Sequence, residues 1–265
     1  MASGSDPVAL RSEPLFRLFA SYLRFSFSRS FHAVRLSGAL PAWPPQQPVI
    51  VYSNHPSWWD PALFILVTDQ MFRGRPCFGP MDAASLERYG FFQRLGVFGI
   101  EKSSLQGARR FLQVSRDVLT RSRGPAGRGM VWITAEGGFT DPRSRPITLR
   151  PGIAHLARSM PDALLVPLAI EYGFWNESRP EAMIRFGTPM VADAGLRTAE
   201  WTLRLQGALS AEMDALALDA MSRDSARFQR VLRGRNGVSL PYDLYRRLRA
   251  LLAGRPFSPA HEEEA

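Results

Sequence analysis

The chain alternates short apolar runs with stretches in which apolar positions recur every three or four residues. The runs at 49–53, 75–79, 97–101, 130–134, 164–170 and 183–186 predict strands. Helical spacing predicts helices over 61–72, 82–95, 105–121 and 152–158, and a long amphipathic one over 199–221. A basic helical region is expected to follow as far as Arg255, with a frayed tail from His261 to Ala265. Such alternation implies an α/β architecture, a central mixed, mostly parallel sheet flanked by helices. Pro167, inside the run at 164–170, lacks a ladder donor and marks a sheet edge or a deliberate break.

The N-terminal part follows another pattern. Residues 1–13 show no periodicity and are expected to be disordered. From Pro14 to about Arg35, the residues Arg17, Ser21, Arg24, Ser28 and Arg35 stack on one helical face. Leu18, Phe19, Tyr22, Leu23, Phe25 and Val34 spread over the rest. A wide apolar arc with an arginine stripe predicts a helix lying in a membrane interface. The competing reading is a helix packed on the core with its arginines in water. Pro41, Pro44, Pro45 and Pro48 then mark a stiff linker. The expected organisation is a helical start and linker over 1–45, an α/β core over 46–195, and C-terminal helices and tail over 196–265.

Composition narrows the partners. With 265 residues, 45% of them hydrophobic, the chain supports one large core. A net charge of +9 favours anionic partners: phospholipid surfaces, phosphorylated substrates, coenzyme A or nucleic acid. No aromatic-basic nucleic-acid motif stands out, so nucleic acid is not expected. The single Cys77 excludes an internal disulfide and a cysteine-rich metal site. No run approaches the ~18–20 apolar residues of a transmembrane helix, and the first residues lack the layout of a cleavable signal. A cytoplasmic protein, peripheral or monotopic on the inner face of the cell membrane, is the expectation.

The candidate chemistry begins at Asn54-His55-Pro56-Ser57-Trp58-Trp59-Asp60, at an expected strand-to-helix turn. An imidazole there can take a proton from a hydroxyl, and a nearby carboxylate can fix its tautomer and stabilise its charged form. No serine or cysteine sits in a nucleophile-elbow context, so the pair points to a base acting on the substrate's own hydroxyl. No second histidine accompanies it, which argues against a metal site. Two more segments end expected strands. Gly96-Val97-Phe98-Gly99-Ile100-Glu101-Lys102 carries glycines that permit close approach of a backbone or a ligand, and it ends on the chain's only lysine. Ile133-Thr134-Ala135-Glu136-Gly137-Gly138-Phe139-Thr140 places a glutamate and glycines where α/β sheets bind ligands. Arg143, Arg145 and Arg150 follow, either as a phosphate clamp or as solvated charges.

The order and separation of these segments resemble the glycerolipid acyltransferase family, the lysophosphatidic acid acyltransferases. Asn54, His55 and Asp60 match its Asn-His-x4-Asp block. Gly96, Ile100 and Lys102 match its glycine-to-basic strand, with lysine for the usual arginine. Glu136 and Gly137 match its Phe-Pro-Glu-Gly-Thr-Arg block, and Val166-Pro167 its Val-Pro. The resemblance covers roughly residues 48–190. It implies transfer of a fatty acyl group from acyl-CoA or acyl carrier protein to a hydroxyl of a membrane lipid, with no cofactor. His55 would be the general base, oriented by Asp60. Asn54, Gly96, Lys102, Glu136 and Gly137 would contribute to substrate binding, with Arg143 or Arg145 as auxiliary cations. Gly99 stands for a phenylalanine of the second block, but the departures are concentrated in the third, where Thr134-Ala135 replaces the aromatic-proline pair and Gly138-Phe139 replaces Thr-Arg. The missing arginine argues against a simple phosphate monoester acceptor, unless Arg143 or Arg145 takes its place.

Overall fold

In the computed structural model, residues 6–235, 249, 251 and 252 are described. Asp6 caps α1 (Pro7–Leu10) by accepting from the amides of Val8 and Ala9. After a break at Arg11 the chain enters α2 (Glu13–Ser30), with proline in its first turn. From Asp6 onward, therefore, the start is helical and not the patternless coil expected. The reason is tertiary: Arg11 donates to the carbonyl of Cys77 at 3.2 Å, and the Ser12 amide to the carbonyl of Arg94 at 2.8 Å.

The helix stops at Phe31, and Ala33–Ser37 form β1, buried at every position. Arg35 belongs to this strand and not to the arginine stripe of α2. A strand covered on both faces shows no alternation, so its sequence could be absorbed into the neighbouring helical pattern.

The middle of the chain follows the expected alternation. β2 (Val49–Ser53) leads to α3 (Asp60–Met71), then β3 (Cys77–Asp82) and α4 (Ala83–Arg88). The single helix expected over 82–95 is broken at Tyr89, and a 3-10 turn occupies Gly90–Leu95. β4 (Val97–Ile100) and α5 (Leu105–Arg121) precede a two-residue hairpin, β5 (Arg123–Gly124) with β6 (Gly127–Arg128). Then come β7 (Met130–Thr134), α6 (Gly152–Ser159), β8 (Leu164–Gly173), β9 (Glu181–Phe186), β10 (Met190–Val191) and α7 (Thr198–Ser222).

The expected basic helix after α7 is replaced, over Phe228–Arg233, by strand β11. It pairs antiparallel with β1. The rest of that expected helix, apart from residues 249, 251 and 252, lies outside the described residues, as does the tail.

The strands order as β11-β1-β9-β8-β2-β7-β3-β4, with β10 beside β8. The five from β8 to β4 run parallel, whereas β9 is antiparallel to β8. The sheet is thus mixed and mostly parallel, with helices on both faces. It draws β1 and β11 from the segments that flank the expected core.

Successive residues of β2 face opposite layers. Ile50 and Tyr52 pack with Trp201, Leu205 and Leu209 of α7. Val49 and Val51 pack with Phe16, Leu23 and Phe27 of α2 and Leu63, Leu66 and Val67 of α3. Pro167 lies in an interior strand and not at an edge. On one side of β8, pairing with β10 ends at Leu165 and pairing with β9 begins at Leu168, so Pro167 falls between two ladders. Among the described residues no helix is long and apolar enough to cross a membrane.

Candidate active site

Strand β2 ends at the sheet edge, and its continuation is tied down on both sides. Asn54 is fully buried. Its amide donates to the carbonyl of Ile170 and its oxygen accepts from the amide of Ile170, each at 2.9 Å. That makes Asn54 a clamp between β2 and β8. The backbone of His55 is held against the loop after β7. Its amide donates to Glu136 Oε2 at 3.0 Å, and its carbonyl accepts from the amide of Thr140 at 3.0 Å.

The turn between His55 and Asp60 closes through Ser57. The amide of Trp59 donates to the Ser57 hydroxyl, and the amide of Asp60 to the Ser57 carbonyl, both at 3.2 Å. Asp60 opens α3 and is completely buried. Its Oδ2 lies 2.6 Å from His55 Nδ1 and accepts from the Ser57 amide at 3.1 Å. Its Oδ1 accepts from the Tyr172 hydroxyl at 2.8 Å. A buried carboxylate with every partner in place is tolerated where an unpaired one is not.

The electrostatics follow from burial. Burial, then the Asp60 charge, pushes the Tyr172 phenol well above its ordinary value, so it stays a donor throughout the working range. Burial likewise raises the Glu136 carboxyl, against the hydrogen bonds from the His55 amide and Thr140 that favour its charged form. The imidazole is partly exposed, and the ring of Phe139 lies 4.4 Å from it, centroid to centroid. With Nδ1–H donated to Asp60, Nε2 carries the lone pair that can receive a proton.

The remaining expected site residues are placed unequally. Glu136 and Gly137 belong to the loop at His55. Gly137 has φ +77°, and a Cβ there would fall 2.8 Å from Arg150 Nε, whose side chain crosses over it. Gly96 also has positive φ (+97°), but a side chain there would collide with the carbonyl of Cys77. Its close neighbour is backbone, not a ligand cavity. Lys102 is exposed in the turn after β4. Two strands, β7 and β3, separate β4 from β2, roughly 14 Å at about 4.8 Å per strand. The structure does not bring Lys102 to the dyad.

Arg143 is bidentate on Asp141, at 2.9 and 2.6 Å. Arg145 is held by Asp214 of α7 at 2.6 Å. Of the three arginines expected after this loop, Arg150 is the one without a carboxylate partner among the described residues. It lines a cleft of about 410 Å³ together with Glu136, Thr140, Pro146 and Thr148.

Sequence reasoning passed over Tyr172, which lies just beyond the apolar run that defined its strand. It also ranked Arg143 and Arg145 above Arg150. The partner of Arg145, Asp214, is remote in sequence, whereas that of Arg143, Asp141, is only two residues away.

A family model described as Acyltransferase matches residues 34–171, just over half of the chain. The chain belongs to the acyltransferase family. The matched span runs from β1 through the dyad to the last residue before Tyr172. No curated protein matches the sequence. A solved structure similar to the acyltransferase is the 1-acyl-sn-glycerophosphate (LPA) acyltransferase PlsC from Thermotoga maritima, at TM-score 0.56 and 12% identity. The match covers 77% of this chain and 80% of that one. At that identity the likeness establishes the shared fold.

Proposed function

We propose that this acyltransferase moves a fatty acyl group from an acyl thioester, on coenzyme A or acyl carrier protein, to a hydroxyl of a lyso-lipid at a membrane surface. The observation that carries this reading is the 2.6 Å contact between His55 Nδ1 and the fully buried Asp60 carboxylate, at a partly exposed sheet edge. Nε2 takes the proton as the acceptor oxygen attacks the thioester carbonyl carbon. Asp60 holds the tautomer and stabilises the imidazolium that forms. The tetrahedral oxyanion then collapses, the C–S bond breaks, and the departing thiolate recovers the proton from His55. Asp60 is held in turn by Tyr172 and the Ser57 amide.

The acceptor headgroup lies beside the loop of Glu136 to Thr140. Phe139 stands where the resembling family has arginine, and Arg143 and Arg145 are engaged with aspartates. Arg150 and the polar walls of its cleft are therefore the groups offered to a headgroup, one that need not be a phosphate monoester. Docking falls to α2. It buries Phe16, Ala20, Leu23 and Phe27 and turns Leu18, Tyr22 and Phe25 outward among Arg17, Arg24 and Arg29. That surface suits anionic lipid and supports a peripheral location on the cytoplasmic face of the membrane.

His55→Ala is expected to lower acyl transfer by about 10²–10⁴-fold while the thermal unfolding midpoint stays within a few degrees. Near-normal turnover would remove His55 as the base. Product analysis separates the alternatives: acylated lipid from a transferase, free fatty acid from a thioesterase-like hydrolase, and neither from an inactive lipid-binding protein.

A further inference from the structure

Three neighbouring strands, β8, β2 and β7, each run on into a segment that holds a large aromatic side chain in water. Phe174, Trp58 and Phe139 are exposed by 64, 74 and 65%. A single exposed hydrophobic residue needs no explanation, but three on adjacent segments of one sheet edge do. All three belong to the surroundings of the dyad. Phe139 packs on the imidazole. Trp58 sits within the turn that joins His55 to Asp60. Phe174 comes two residues after Tyr172, whose hydroxyl holds Asp60.

We propose that this rim is a membrane-contact surface in its own right, with its aromatic side chains set at the headgroup level of an anionic bilayer. It rests on the lipid-acceptor reading given above and says which surface meets the lipid. Trp and Phe gain by leaving water for the headgroup boundary, and aromatic residues are the usual residents there. Charge selects the occupant. The chain carries +9, and Arg17, Arg24 and Arg29 lie exposed on α2. The rim is braced on α2 from the inside: Trp58 meets Trp59 at 5.5 Å, and Trp59 meets the buried rings of Phe27 and Phe31 at 4.9 and 5.0 Å. A bilayer that touched both would deliver an acceptor hydroxyl to His55 without drawing the lipid out of the interface.

The test uses the full chain and vesicles of phosphatidylcholine with phosphatidylglycerol. Phe139 is left in place because it touches the imidazole. In W58Q/F174Q the vesicle partition coefficient is expected to fall about tenfold or more, with an unchanged unfolding midpoint. In the wild type, lipids brominated in the acyl chain are expected to quench tryptophan emission, and W58F to lose that quenching. Unchanged partitioning of W58Q/F174Q, or no vesicle binding by the wild type, overturns the proposal. So does a result in which only L18Q/Y22Q/F25Q weakens binding, since α2 alone would then be the docking surface. If the wild type bound vesicles through the rim yet transferred no acyl group, the proposed reaction would fail and the membrane contact would stand.

Discussion

At the scale of single residues, the site depends on how a buried carboxylate is satisfied. Asp60 has two oxygens, and removing the Tyr172 hydroxyl leaves Oδ1 without a partner in the dry interior. Tyr172→Phe is therefore expected to destabilise the fold by about 1–3 kcal/mol in denaturant titration. It should also lower kcat more than it changes KM, because it disturbs the orientation of Asp60 and not the substrate cleft. A variant with normal kcat would make Tyr172 a packing residue only.

Glu136 supplies a pH test. Its carboxyl is raised above the ordinary 4.5, with burial as the largest cause. The unfolded chain thus ionises first as pH rises, and the folded state holds its proton longer. The stability contributed by this group falls as pH climbs from the unfolded value through the raised one, and stays lower above it. Glu136→Gln keeps an oxygen for the His55 amide and does not titrate. Its unfolding midpoint relative to the wild type is expected to rise between pH 4 and pH 7. A flat or falling difference would show that burial does not dominate at this carboxyl.

At the scale of elements, β1 explains the largest misreading. Its Arg35 looks in sequence like one member of an arginine stripe, yet it donates to Glu181 of β9 at 2.9 and 3.3 Å and lies 4.9 Å over the ring of Trp175. Both ion-pair partners are almost fully buried. Arg35→Leu takes the closest partner from the buried Glu181 charge, leaving His32 at 3.8 Å, and is expected to cost about 3–5 kcal/mol in urea unfolding. The double replacement R35L/E181L should recover most of that loss. No recovery would mean that β1 depends on something other than charge pairing. By contrast, α2 was legible. Its buried positions at 16, 20, 23 and 27 follow the helical repeat, although which arc met the core could not be read from the sequence.

At the scale of the whole molecule, the sheet closes across the ends of the chain. β11 pairs with β1 and β1 with β9, so segments from before and after the expected core together form one edge of the sheet that carries His55 and Asp60. Deletion of residues 1–37 is accordingly expected to yield insoluble or unfolded protein, not a soluble enzyme released from membranes. Circular dichroism of the truncated chain checks this, and a cooperative unfolding transition like that of the full chain would contradict it. Substitution on the outward face of α2 is the cleaner probe of docking, since it leaves β1 intact.

The sequence by itself determined the alternation of strands and helices from Val49 to Ser222 and the pairing of His55 with Asp60. Both are local: an apolar run or a five-residue turn carries its own signal within a few residues. Tertiary structure alone decided that Tyr172 completes the dyad and that Arg150, not Arg143 or Arg145, lacks a carboxylate. It also decided that Lys102 stands three strands away and that β1 and β11 are strands. Apart from the local Arg143–Asp141 pair, each of these depends on partners far along the chain, through a buried hydrogen bond, an ion pair or a ladder. A residue's own neighbourhood in sequence holds no record of what packs against it.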